Sequence, residues 1–112
     1  MSESLNEAVS RARAALDRAQ PQDPSPETVA ALREAVDAAT QALNEAMAAT
    51  VVRGASVRQV AGAAGMAPNS VAPRLAETAA LREYAEGERV TSEGIARARH
   101  AARMTFQPRR PT

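Results

Sequence analysis

Apolar residues recur through the first half of the chain at spacings of three and four, the period of one face of an α-helix. Leu5, Val9, Ala12, Leu16 and Ala19 make the first stripe, and Ser4 with Glu7 three residues later has the form of a capping box at its start. The segment from Gln20 to Pro26 holds three prolines. Each removes an amide donor and turns the preceding residue away from helical geometry, so this segment reads as a loop. Ser25 then offers an N-cap oxygen and Pro26 suits the first helical position. Val29, Leu32, Val36, Ala39, Leu43, Ala46 and Thr50 follow at three-four spacing as far as Gly54. This second helix is long, roughly 40 Å at 1.5 Å per residue.

Two amphipathic helices joined by a short rigid loop can close as an antiparallel hairpin or pair with a second chain. A seam made mostly of alanine buries little area in a lone hairpin, and the second helix outruns the first. A homodimer through Val29, Leu32, Val36, Leu43 and Met47 is therefore expected. The alternative is that both stripes pack on the C-terminal half of the same chain.

From Gly54 the periodicity changes. Ser56 and Gln59 form a second capping box, opening a short helix with Val57, Val60, Ala61 and Ala64 on one face. Gly65 follows Ala61 by four positions, Met66 is the next hydrophobe, and Val71 and Leu75 anchor a further helix one turn apart. The stretch Gly54 to Leu75 resembles the helix-turn-helix of bacterial and phage repressors, at motif level and over about a fifth of the chain. The resemblance implies that Ala61 is the small residue at the helix crossing, that Gly65 takes a left-handed backbone in the turn, and that Met66 plugs the core below it. A plain helical hairpin with a glycine turn is the alternative. Pro73 departs from the pattern, because a proline inside the recognition helix removes a hydrogen bond unless the helix starts late, with Asn69 rather than Ala67 as its cap.

The same resemblance implies that the second helix enters the major groove of DNA. With Val71 and Leu75 inward, the outer side carries Asn69, Pro73 and Ala76, flanked by Ser70, Ala72 and Glu77, and Asn69, Ser70, Ala72 and Pro73 are the candidate base contacts. Asn69 is the best reader, since its amide can bond adenine at two positions, whereas alanine and proline offer only apolar contact. The competing role for Asn69 is that of a helix cap. Arg53, Arg58, Gln59 and Arg74 cluster around the motif as candidate phosphate contacts.

Beyond Leu75 the chain stays compatible with helix to Gly87, with a kink or new start expected near Glu77 or Thr78. Tyr84 is expected to pack rather than to stack on a base. Thr91 or Ser92 can cap a last helix with Ile95, Ala98 and Ala102 inward and Arg97, Arg99, His100 and Arg103 spread over a basic arc. Arg97 and Arg103 join the phosphate candidates. So do Arg109 and Arg110 in the proline-punctuated tail, which reads as an extended basic arm.

Composition sharpens this picture. The 112 residues suffice for one modest core, 45% are hydrophobic but only 2% aromatic, and about a quarter are alanine, which favours an all-α fold. There is no cysteine, which excludes disulfide and thiol chemistry. The net charge of +1 hides an asymmetry: eight acids face four arginines up to Thr50, while ten arginines face five acids from Val51 onward. The second half is thus the side expected to meet a polyanion. No phosphate loop, metal-ligand spacing or nucleophile-base set stands out, and His100 is the lone histidine, so neither an enzyme nor a metal or cofactor is expected. No apolar run has the length to span a bilayer and the N-terminus lacks a signal-peptide core, which points to a cytoplasmic, nucleoid-associated protein.

The expected organisation is a helical hairpin for assembly over 1–53, a helix-turn-helix unit with a C-terminal basic helix over 54–104, and a basic tail over 105–112. The expected function is sequence-specific binding of double-stranded DNA as a dimeric transcriptional regulator. The alternatives are a protein-interaction module whose acidic N-terminal helices take a partner, or a DNA-binding accessory protein of a plasmid or phage in partition, conjugation or packaging.

Overall fold

Reciprocal hydrogen bonds at Ser4 start the first helix: the Glu7 amide donates to Ser4 Oγ at 3.2 Å, and the Ser4 amide donates to Glu7 Oε1 at 3.1 Å. The computed structural model describes residues 4–105, and among them it is all-α. The helices are α1 (Leu5–Arg18), α2 (Pro26–Val52), α3 (Val57–Ala64), α4 (Pro68–Ala76) and α5 (Ser92–Thr105), with a 3-10 turn at Arg82–Tyr84. The chain groups into two compact units that divide between Ala46 and Met47.

In the first unit α1 folds back on α2. Ser25 caps α2 as expected, its Oγ accepting from the Thr28 amide at 3.2 Å, while Thr28 Oγ1 accepts from the Gln20 amide and donates to the Asp23 carbonyl. The proline-rich loop is thereby tied to the start of α2. Arg18 at the end of α1 pairs with Glu34 on α2. The packed face differs from the one the periodicity suggests. Ala8 and Ala15 of α1 and Ala31, Ala35 and Ala38 of α2 are buried, whereas Leu16, Val29, Leu32, Val36 and Leu43 stay exposed. Alanine lets two helix backbones approach closely, so the small residues take the seam and the large ones are left one position away from it.

The second unit has the larger side chains. Met47, Ala48 and Val51 from the end of α2 join Val60 and Ala61 of α3, Val71 and Leu75 of α4, Leu81, Val90, and Ile95 and Ala98 of α5 in one core. Met47, expected on the dimer stripe, is instead a core residue, and the second unit begins there rather than at Gly54. Burying a Leu or Val side chain contributes about 1.5–3 kcal/mol, so Leu75, Leu81, Val51 and Val71, all fully buried, dominate this core.

Between α4 and α5 the helix does not run on to Gly87. Glu77 closes α4, and the Leu75 carbonyl accepts both the Thr78 amide at 3.1 Å and the buried Thr78 hydroxyl at 2.6 Å, which fixes the chain as it leaves the helix. The 3-10 turn and a tight turn joining Glu86 to Arg89 follow. Thr91 Oγ1 then caps α5 by accepting from the Gly94 amide at 3.2 Å. Gly94 is required by proximity, because a Cβ there would stand 2.5 Å from the Tyr84 carbonyl oxygen.

Candidate nucleic-acid interface

The second capping box forms as its sequence indicates. The Gln59 amide donates to Ser56 Oγ at 3.0 Å and the Ser56 amide donates to Gln59 Oε1 at 2.9 Å. The carboxamide oxygen of Gln59, a residue expected at a phosphate, is thus engaged in starting α3. That helix ends at Gly65, which has φ +70 and ψ 32, the left-handed conformation that glycine adopts without a Cβ clash. The Met66 amide donates to the Ala61 carbonyl at 2.9 Å, and the half-buried Met66 packs against the core. Three residues, Gly65, Met66 and Ala67, therefore separate α3 from α4.

The start of α4 resolves the choice left open at Asn69. Ala67 is the N-cap, without a side-chain hydrogen bond, and Pro68 holds the first turn. Asn69 lies inside the helix, and its role as a cap falls away. Pro73 consequently sits within α4, where it has no amide to donate to the Asn69 carbonyl. Val71 and Leu75 are fully buried, which turns Asn69, Ser70 and Pro73 outward as exposed residues, with Ala72 half-buried beside them. This is the orientation that the inward pair at positions 71 and 75 dictates at 100° per residue, except at Ala76, which the same count turns outward and which instead joins the core at the end of α4.

The candidate phosphate ligands fall into separate places. Arg58 is exposed in the first turn of α3, and Arg74 is half-buried in the last turn of α4. Arg53 and Arg103 are exposed and line one open groove of about 1060 Å³ with His100, over a floor that includes Ala49, Val52 and Ala102. Arg97 is exposed on α5 but is not part of that groove. Arg109 and Arg110 lie outside the described residues.

One arginine of the expected basic arc has another task. Arg99 also lines that groove, half-buried, and its guanidinium hydrogen-bonds the backbone carbonyls of Val51 and Ala55, so it holds the end of α2. Its i+4 spacing from Ile95 is the signal that hints at burial, since Ile95 and Ala98 are both core and a residue beside them on that face is drawn inward. Tyr84 packs against the core, as expected.

Among the described residues no group of three or more His, Cys, Asp or Glu is arranged to hold a metal ion, and no helix is long and apolar enough to cross a membrane. The arrangement can make hydrogen bonds and ion pairs to an anionic surface, through an outward amide and hydroxyl on α4 and exposed guanidinium groups on α3, on α5 and just after α2. Comparison with protein-family models, curated proteins and solved structures found no match for the chain.

Proposed function

We propose that the second unit binds double-stranded DNA, with α4 entering the major groove, and that the protein acts as a sequence-reading regulator of transcription. The observation that carries this reading is the outward face of α4. Asn69 and Ser70 are exposed at the N-terminal end of a short helix whose inner side, Val71 and Leu75, is locked into the core by a left-handed turn at Gly65. A helix backbone held in this way presents its outward donors and acceptors in one orientation, and an Asn amide matches the N6 and N7 edge of adenine. The exposed guanidinium groups of Arg53, Arg58, Arg97 and Arg103 supply charge for phosphates without sequence preference.

The readout is narrow. Ala72 and Pro73 offer only apolar contact, so a preferred site should contain an adenine step next to positions read loosely, for instance through a thymine methyl. The test is selection of duplexes from a random pool by the full chain, followed by affinity measurements over a range of salt. Recovery of a shared motif and a negative slope of log affinity against log salt support the reading. Absence of binding at low salt overturns it.

A further inference from the structure

We propose that the helical hairpin of the first unit is a self-association module, in which two copies of this chain close face to face as a four-helix bundle. This goes beyond DNA binding and stands independently of it.

The two helices of the hairpin meet along a seam of alanines. Ala8 and Ala15 on α1 and Ala31, Ala35 and Ala38 on α2 are buried in an antiparallel pair. One residue forward is a turn of about 100°, and in antiparallel helices that step swings both chains toward the same side of the pair. On α1 it reaches Val9 and Leu16. On α2 it reaches Leu32, Val36 and Ala39, and Val29 and Leu43 extend the same stripe three residues before Leu32 and seven after Val36. One side of the hairpin is therefore a continuous apolar surface two helices wide. Its five largest exposed members, Leu16, Val29, Leu32, Val36 and Leu43, remain 38% to 67% exposed. The step backward from the seam reaches Glu7, Ala14, Ala30, Glu34 and Asp37, none of them a large apolar side chain, so the Leu and Val face belongs to one side only.

Scattered apolar residues on a surface need no explanation, but a contiguous patch of Val and Leu at three-four spacing is the form of a packing face. The charges that border it indicate the occupant. On α1 the edge carries Arg13 and Asp17. On α2 it carries Arg33, which pairs with Asp37 at 3.0 Å. Each edge cation has an anion four residues on along the same helix, so neither edge carries net charge. A strongly acidic or strongly basic partner finds no net opposite charge there, whereas a second copy brings the same near-neutral apolar face, and the closed two-fold arrangement leaves no further apolar face open to extend into a filament.

Sedimentation equilibrium of the full chain, without DNA, tests this directly. The expected result is a monomer-dimer equilibrium that stops at two copies. Val29→Ser and Leu16→Ser, at the two most exposed positions, should each weaken the dimer at least tenfold with the helical circular dichroism unchanged. Val36→Glu at the centre should abolish it. If Val36→Glu loses helical signal, the two serine variants decide, because exposed positions carry little of the hairpin's own stability. A chain that stays monomeric at hundreds of micromolar overturns the proposal. So does a dimer whose affinity neither serine variant changes, or a mass that climbs with concentration without a plateau. Because no DNA is present, failure here leaves the reading of α4 untouched, and failure of DNA binding leaves the dimer standing.

Discussion

The Arg99 guanidinium reaches across 48 positions of sequence to the Val51 carbonyl oxygen, to which Nε donates at 2.9 Å, while Nη2 donates to the Ala55 carbonyl at 2.9 Å. One side chain on α5 thus satisfies two carbonyls where α2 ends and the chain turns toward α3. Cations are favoured at a helix C-terminus, where open carbonyls concentrate partial negative charge.

Replacing Arg99 should therefore cost stability even though it is one of many arginines. Arg99→Met removes two hydrogen bonds with a charged donor, and the expected loss is about 1.5–3 kcal/mol, read from the urea midpoint. Arg97→Met, two positions away and exposed, should fall within about 0.5 kcal/mol of the parent. Equal effects from both would mean that the Arg99 hydrogen bonds contribute nothing beyond a surface charge.

Two glycines of the second unit should respond in opposite directions to alanine. At Gly94 a Cβ would sit 2.5 Å from the Tyr84 carbonyl oxygen, backbone that cannot step aside cheaply, so Gly94→Ala should destabilise by about 1–3 kcal/mol. At Gly62, inside α3, a Cβ meets nothing within 4 Å, and alanine is the better helix former. Gly62→Ala should raise stability by about 0.4–1 kcal/mol. Thermal melts of the pair check both signs.

Local signals in the sequence carry most of the second unit. The capping box at Ser56 and Gln59, the left-handed Gly65 and the inward Val71 and Leu75 each depend on a few adjacent residues, and each is present in the structure. What periodicity misjudges is the choice between neighbouring stripes. In the hairpin, large and small apolar residues alternate around the helix, and a three-four count follows the large ones. Close helix approach selects Ala8, Ala15, Ala31, Ala35 and Ala38 instead. The role of Arg99 is hidden for a different reason, since its partners are backbone carbonyls as far as 48 residues away, and no spacing rule identifies them.

The first helix should be sensitive to acid through its cap. Hydrogen bonding to Ser4, first through its side chain and second through its backbone, holds the Glu7 carboxyl below its ordinary pKa. A carboxyl whose pKa is lower folded than unfolded adds stability at pH above the unfolded value, and that stability is lost as pH falls through the folded value. Helical signal from α1 should be flat near neutrality and decline in the acid range. Glu7→Gln keeps an acceptor for the Ser4 amide without a titrating group, so the difference between the two proteins should vanish once Glu7 is protonated. A parent and variant that lose signal in parallel would exclude Glu7 as the source.

Pro73 leaves the Asn69 carbonyl without its helical partner. Restoring an amide there should strengthen α4, by about 3 kcal/mol from the helix propensity scale less about 1 kcal/mol for the freer unfolded chain. Pro73→Ala is thus expected to raise stability by roughly 2 kcal/mol in urea titrations. A destabilised variant would mean that the packing of the proline ring outweighs the missing bond.

The sharpest test of the α4 reading separates base contact from phosphate contact. Asn69 is not the helix cap, because Ala67 holds that place, so Asn69→Ala should leave stability nearly unchanged and any effect on DNA is free of a folding component. If Asn69 meets a base edge, the variant should lose roughly 1–3 kcal/mol on the selected site and much less on random duplex. Arg58→Ala and Arg53→Ala should behave otherwise, weakening selected and random duplex alike and lowering the salt slope by about 0.9 for each phosphate no longer neutralised. With two copies joined through the hairpin, the selected sites should be inverted repeats, their halves about one helical turn apart or a multiple of it, because the two-fold axis of the protein imposes its symmetry on the site. Sites without a dyad, together with parallel losses on all duplexes for Asn69→Ala, would assign Asn69 to the backbone and move sequence reading away from α4.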